Sequence, residues 1–556
     1  MRHSRNSTRG RAVVLVLALF ASSALLELSN GAAGPMVALV EARSLLDIIP
    51  GTELMRDLAS NMANRLGRAL DNQIINPISN NLGGCFKRGA DGACPPRDPD
   101  ASRTVAEIIK SRGFEVEEHD VTTRDGYILT VQRIINPLIE EGQRAKLKPV
   151  ILQHGLMSSS VDWVINSVHV KPQKYPRDSS APSTTNPTTT TASGASASGD
   201  ILDDDDNEKN TIEFHRRSAA MARGDGEEDG SNEEQRIDAT TPSAQMPTGD
   251  SQEHPNALGF YLANEGYDVF LANSRGNIYG QRHVEMSSWN PRFWAFTFDE
   301  QSKYDLPDTA SYIQNLTGHS KLGYVGHSQG TAMMFGLLSD QPDYAEVFEP
   351  IVLIAPVAYV SNAITPAKYF SVYTPIVERI NAPFGTSNVA VAYLAPLVCK
   401  PELIKDEICA NLVFLAAGFN PEELDMNRVS AYVAHHPSGT SAKNIAHYGQ
   451  GVLSGRFAHF DHGVLGNQIE YGQAQAPDYK LGNIRSKSLV LIFADNDWLA
   501  SPKDVAKLRA DLRVTPFRVH NISELRPKWN HIDFLYGKHC GELVNTRILE
   551  AFHQFD

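Results

Sequence analysis

Cysteine is scarce, with five in 556 residues, which excludes a disulfide framework as the main source of stability. Long apolar runs are scarce as well. Beyond the N-terminal segment no stretch is apolar over the roughly 20 residues a membrane span requires, so no transmembrane segment is expected there. No cluster of Cys and His has the spacing of a metal site, and neither a metal nor an organic cofactor is expected. A global excess of one charge is missing too, once the charge is located. The net charge of −14 is concentrated between Val170 and His254, where 8 Lys/Arg face 17 Asp/Glu. About −5 is left for the remaining chain, which gives no reason to expect a nucleic-acid partner.

What is present begins with Arg2, Arg5, Arg9 and Arg11 ahead of an apolar run, Ala12–Leu26, followed by small residues from Ser29 to Gly34. A basic flank, a short apolar core and small residues are the layout of a secretory signal over residues 1–33. A membrane anchor is the alternative, and the run is short for one. An oxidising destination suits the sequons at Asn315 and Asn521. It also suits two close cysteine pairs, Cys85 with Cys94 and Cys399 with Cys409, which can each bridge locally and leave Cys540 unpaired. The expected location is therefore extracellular, with the lysosome as the alternative. Residues 34–103 form an extension without identifiable chemistry. Residues 171–254 are rich in Ser, Thr and Pro, then acidic (Asp203–Asp206, Glu227–Asp229). Such a composition buries too little apolar surface to offset its ordering entropy and reads as a disordered insert.

The body of the chain, from 104 to 556, has the rhythm of a parallel sheet. Short apolar runs at Pro149–Gln153, Tyr267–Ala272, Lys321–Val325, Pro350–Ala355 and Ser488–Phe493 are each followed by a turn and a helix-forming stretch. This alternation predicts an α/β fold with helices on both faces of a mostly parallel sheet. Glu118–Val131 reads as strand, turn and strand around Arg124-Asp125-Gly126.

The sharpest local signal is Gly326-His327-Ser328-Gln329-Gly330, between the strand Leu322–Val325 and the helix-forming Thr331–Ser339. A G-x-S-x-G sequence is common by chance, but between a strand and a helix it is the nucleophile elbow of α/β-hydrolases. A hydroxyl nucleophile needs a base, and the base needs an orienting acid, in the order Ser, acid, His. The loop Ala494-Asp495-Asn496-Asp497-Trp498 supplies carboxylates at a strand's C-terminal end, where catalytic groups gather. His531, in Trp529-Asn530-His531-Ile532-Asp533-Phe534, supplies the base in the right order. Two backbone donors must hold the oxyanion. The amide of Gln329, next to the nucleophile, is one, and that of Leu156, in the loop after Val150–Gln153, is the other.

These residues resemble the acid lipase family, which comprises gastric and lysosomal acid lipases and their insect relatives. The resemblance runs through Leu152-Gln-His-Gly-Leu156, Gly266-Tyr-Asp-Val269, Asn273-Ser-Arg-Gly-Asn277 and Phe293-Trp-Ala-Phe296. It continues in Lys303-Tyr-Asp-Leu-Pro307, Gly326-His-Ser-Gln-Gly-Thr331 and Asn530-His-Ile-Asp-Phe534. It implies Ser328 as nucleophile, Asp497 as acid, His531 as base, oxyanion amides at Leu156 and Gln329, and a bridge between Cys399 and Cys409. It also implies a mainly helical cap over residues 358–485, in which Gly418-Phe-Asn420, His436-Pro-Ser-Gly-Thr440 and His447-Tyr448 look familial. The chain departs from the family at Ala494-Asp495, where glycines are usual, and in its acidic insert. The expected partner is a neutral lipid, triacylglycerol or cholesteryl ester, at a lipid–water interface. Two rival expectations are a silent lipid-binding protein on the same fold and an esterase for small soluble esters.

Overall fold

The five runs fold into five buried strands because each is too short for a helix and apolar at most of its positions. The computed structural model describes residues 98–175, 251, 254–364, 381–384, 418, 420, 422–425, 427–513, 516 and 518–556. Its strands in chain order are β1 (Glu115–Thr122), β2 (Tyr127–Ile135), β3 (Pro149–Gln153), β4 (Asp268–Ala272), β5 (Arg282–His283) and β6 (Leu322–His327). They continue with β7 (Phe348–Ile354), β8 (Pro383–Phe384), β9 (Thr440–Ser441), β10 (Leu489–Phe493) and β11 (Arg518–Asn521). Nine form one sheet in the order β1-β2-β4-β3-β6-β7-β10-β11, with β5 paired to β2. The β1–β2 hairpin and the β2–β4 pair are antiparallel. From β4 to β11 every pairing is parallel.

Alternation along the strands divides the core in two. Val150, Leu152, Val269, Leu271, Val325, Val352, Ile354, Val490 and Ile492 face one layer, packed by the helices Val105–Ser111, Leu258–Asn264 and Thr546–His553. Their neighbours Ile151, Phe270, Tyr324, Ile351, Leu353 and Leu491 face the other, packed by Leu306–Thr317 and Gln329–Asp340. Each such buried side chain contributes about 1.5–3 kcal/mol by leaving water. Gly323 lets the last helix lie close on the sheet: a Cβ there would stand 2.3 Å from the Phe552 ring.

The parallel register places the ends of β3, β4, β6, β7 and β10 along one edge, with Gln153 opposite Ala272 and Gly326, and His327 opposite Ile354. This is the edge at which open α/β sheets hold their reactive groups. Between β7 and β10 is inserted the segment expected to form a cap. Its described part comprises the helices Val429–Ala434, Ala442–Ser454 and Gly463–Tyr471 and the β8–β9 pair.

The expected signal at 1–33, Cys85, Cys94, Cys399, Cys409 and nearly all of the insert at 171–254 lie outside the described residues. Cys540 is a buried free thiol whose Sγ donates to the Phe534 carbonyl at 2.9 Å. Asn315 is exposed on the helix Leu306–Thr317. Asn521 is more engaged than its sequon suggests: its amide donates to Asp495 at 3.0 Å and its carbonyl oxygen caps Ser523 at 3.1 Å.

The last residues of the extension are part of the folded body. Pro99–Ser102 is a short 3-10 helix that buries Asp100. Its carboxylate receives Arg112 and, at 2.9 Å each, Arg103 and Arg428 of the cap. Asp98 adds a second contact to Arg428 at 2.6 Å. These two acids thus join the first helix to Arg428, far along the chain. Asp100→Ala leaves the mostly buried Arg112 and Arg428 without their shared counter-charge. We expect a loss of about 3–5 kcal/mol, read as a lower urea midpoint.

Candidate active site

Strand β6 delivers Ser328 at its C-terminal end, and the helix Gln329–Asp340 leaves immediately after it. The turn is tight enough to force Ser328 to φ 53° and ψ −115°, a region that side chains other than glycine seldom occupy. The two motif glycines are required by close approach. A Cβ on Gly330 would sit 2.7 Å from the Gln153 carbonyl oxygen, and one on Gly326 would sit 2.9 Å from the backbone of Gly330.

The Ser328 hydroxyl lies 2.8 Å from His531 Nε2. On the other side of that ring, Nδ1 is 2.8 Å from Asp497 Oδ2 and 3.0 Å from Oδ1. Asp497 is buried, and its Oδ1 also accepts the amides of Leu499 at 2.9 Å and Ala500 at 2.8 Å. A carboxylate can only accept, so Nδ1 carries a proton and Nε2 of the neutral ring presents its lone pair to the hydroxyl. The arrangement is chemically able to draw a proton from Ser328 while Asp497 balances the charge on His531. The other carboxylate of the same loop, Asp495, points away: it is exposed and accepts from Asn521.

The loop after β3 passes directly over Ser328. A Cβ on Gly155 would lie 3.1 Å from Ser328 Cβ, and Met157 takes φ 57° to turn the loop back. Leu156, between them, and Gln329 make no backbone amide hydrogen bond among the described residues. Two donors without acceptors beside a nucleophile are the requirement for holding a developing oxyanion. The Gln329 side chain is tied down separately. It donates to Gln301 at 2.8 Å and accepts from Asn444 of the cap at 2.8 Å.

Three further residues position these groups. His154 Nε2 accepts the Ser274 amide at 3.0 Å and the Asn277 side chain at 3.1 Å, so its Nδ1 donates to the Gly155 carbonyl at 2.7 Å. Burial lowers its pKa and keeps it neutral. His327 donates Nε2–H to the His531 carbonyl at 2.9 Å. Burial first, and the neighbouring His531 second, push its pKa down to about 4. Gln329's partner Gln301 had no motif to mark it, whereas His154 and His327 stood inside the motifs that located the loop and the elbow.

Asp533, two residues after His531, sits against the Asn530 amide and the Asn420 side chain, each at 2.9 Å. Burial raises its pKa from 3.8 to about 8. A carboxyl kept neutral by the fold but ionised in the open chain lowers stability as pH rises from about 4 through about 8. Asp533→Asn removes that titration. The expected outcome is a flatter dependence of the thermal midpoint on pH across this window in the variant than in the parent chain.

Residues 105–167 match the model of the partial α/β-hydrolase lipase region, and residues 248–367 match that of the α/β-hydrolase fold. Lipase member M of Mus musculus is 30% identical over 82% of this chain and 87% of its own length. A putative lysosomal acid lipase/cholesteryl ester hydrolase of Crotalus adamanteus is 30% identical over 82% of this chain and 92% of its own. Gastric triacylglycerol lipase of Bos taurus is 30% identical over the same two shares, 82% and 92%. With such likeness along most of both sequences, the chain belongs to the acid lipase family of the α/β-hydrolases and is a carboxylic ester hydrolase.

Proposed function

We propose that this enzyme hydrolyses the esters of neutral lipids, triacylglycerol or cholesteryl ester, to free fatty acids through an acyl-enzyme on Ser328. The single observation that carries the reading is the hydrogen-bonded chain Ser328–His531–Asp497, with links of 2.8 Å on either side of the imidazole. His531 takes the hydroxyl proton as Ser328 Oγ attacks the ester carbonyl. The oxyanion is held by the Leu156 and Gln329 amides, which have no other acceptor among the described residues. His531 then protonates the departing alcohol, and the same base activates water to release the fatty acid.

The substrate class is supported by the relatives, two of which are named for triacylglycerol and cholesteryl esters. The cap inserted over the reactive edge fits an acyl pocket that opens at a lipid–water interface. The arginine-flanked apolar N-terminus supports delivery through the secretory route, to the extracellular space or the lysosome.

The test is fatty acid release from emulsified triacylglycerol and cholesteryl ester at about pH 5 and about pH 7.5. Ser328→Ala and His531→Ala should each lose about six orders of magnitude in kcat, and Asp497→Asn about four. Activity that survives in Ser328→Ala would overturn the assignment of the nucleophile. Cleavage of short soluble esters alone would favour a small-ester esterase, and lipid binding without hydrolysis a silent carrier.

A further inference from the structure

The cap segment His436-Pro-Ser-Gly-Thr440 reaches the oxyanion loop through a polar cluster that the acyl-transfer steps leave unused. At its centre is Asp162, buried in the Ser160–Trp163 turn. Ser158, two residues beyond Leu156, donates its hydroxyl to Asp162 Oδ2 at 2.6 Å. Tyr536, on the short helix after His531, donates its hydroxyl to Oδ1 at 2.5 Å. His436 Nε2 lies 3.0 Å from the same Oδ1. Its Nδ1 lies 2.8 Å from the Tyr432 carbonyl oxygen.

The protonation of His436 follows from counting donors. The Tyr432 carbonyl can only accept, so Nδ1 carries a proton. The Asp162 carboxylate can only accept as well. Both hydroxyls within reach of Nε2, Ser158 at 2.9 Å and Tyr536 at 2.9 Å, already direct their protons at Asp162. Nε2 must therefore be a donor too, which makes the ring an imidazolium paired with a buried carboxylate.

The other titratable groups around it do not offer a competing charge. His154 on the oxyanion loop and His435 beside it are both held neutral by burial. Burial opposes the charge on His436, but the hydrogen bond and field of Asp162 outweigh it and hold the proton above the ordinary 6.5. Burial likewise opposes ionisation of Asp162, and His436 draws that carboxyl down to about 2.

The pair grips the loop from the cap side. Ser438, two residues past His436, donates its amide to the Met157 carbonyl at 2.7 Å, and the Ile278 amide donates to the Ser438 carbonyl at 3.0 Å. Leu156 is thus followed at once by two residues, Met157 and Ser158, that are fastened to this segment or to its counter-ion.

We propose that His436 is a positioning residue: paired with Asp162, it holds the oxyanion loop in place, and its deprotonation sets the upper pH limit of turnover. The proposal rests on the assignment of Leu156 as an oxyanion donor. The sign is definite. The grip is complete below the ordinary imidazole range and is lost as pH rises through the raised value. Loss of a preorganised donor acts on the transition state, so kcat falls while KM holds.

The experiment follows hydrolysis of a soluble p-nitrophenyl ester by the full chain from about pH 5 to about pH 9, separating kcat from KM. His436→Gln keeps a donor for Asp162 but cannot titrate. Its alkaline decline in kcat should vanish, with kcat on the acid side roughly tenfold lower for the lost charge-assisted bond and KM unchanged. Tyr536→Phe strips one donor from Asp162, so the carboxylate holds the His436 proton more firmly and the alkaline midpoint should move to higher pH. This second variant carries the test if the first does not fold. An alkaline midpoint that is the same in the parent chain and in each folded variant overturns the proposal. Labelling of Ser328 by a fluorophosphonate in the parent chain is followed in parallel. Its absence would overturn the nucleophile assignment itself, whereas intact labelling with an unmoved pH profile removes only the role of His436.

Discussion

The site depends on one close approach. The helix Gln329–Asp340 enters so near strand β3 that a Cβ at Gly330 would lie 2.7 Å from the Gln153 carbonyl oxygen. That contact brings Ser328 under the loop that begins with His154, where a Cβ on Gly155 would lie 3.1 Å from Ser328 Cβ. The strain at Ser328 is sustained because β6 is paired on both sides and its helix is packed beneath. A looser crossing would relax the serine and move the two free amides away from it. Preorganisation of this kind is what an oxyanion site needs, since its donors must be in place before the charge appears.

Around that crossing, the surroundings of each histidine decide its state. His154 and His327 lie in low dielectric with donors or carbonyls as partners, and they remain neutral scaffold. His531 has a carboxylate on one nitrogen and a hydroxyl on the other, the pairing that suits a proton carrier. His436 has acceptors on both nitrogens; burial opposes its charge, but Asp162 outweighs this and raises its pKa. One residue type serves as strut, base and clamp because hydrogen-bond partners select among three forms of the same ring.

The cap reaches the reactive edge from more than one direction. Arg428 joins Asp98 and Asp100 at the start of the hydrolase body. His436 and Ser438 hold the loop that carries Leu156. Asn444 holds the side chain of Gln329. The inserted segment is thus part of the site's frame, and changes in its packing are coupled to the geometry of both amides.

The sequence by itself determined the sheet, the elbow and the order in which Ser328, Asp497 and His531 occur. These are local properties: a short, mostly apolar run such as Pro149–Gln153 suits a doubly covered sheet, and glycines two residues either side of Ser328 announce a tight crossing. Local pattern could not rank Asp495 against Asp497, which stand two apart in one loop. The resemblance to known lipases favoured Asp497, and the folded loop turns it inward and leaves Asp495 in solvent. Nor could it reveal that Asp100 is a buried counter-ion, or that Asp162, His436 and Tyr536 meet. Those partners are separated by 274 and 374 residues along the chain. A charge's partner is set by distance in space and by the dielectric around it, and neither exists until the sheet, its loops and the cap have been brought together.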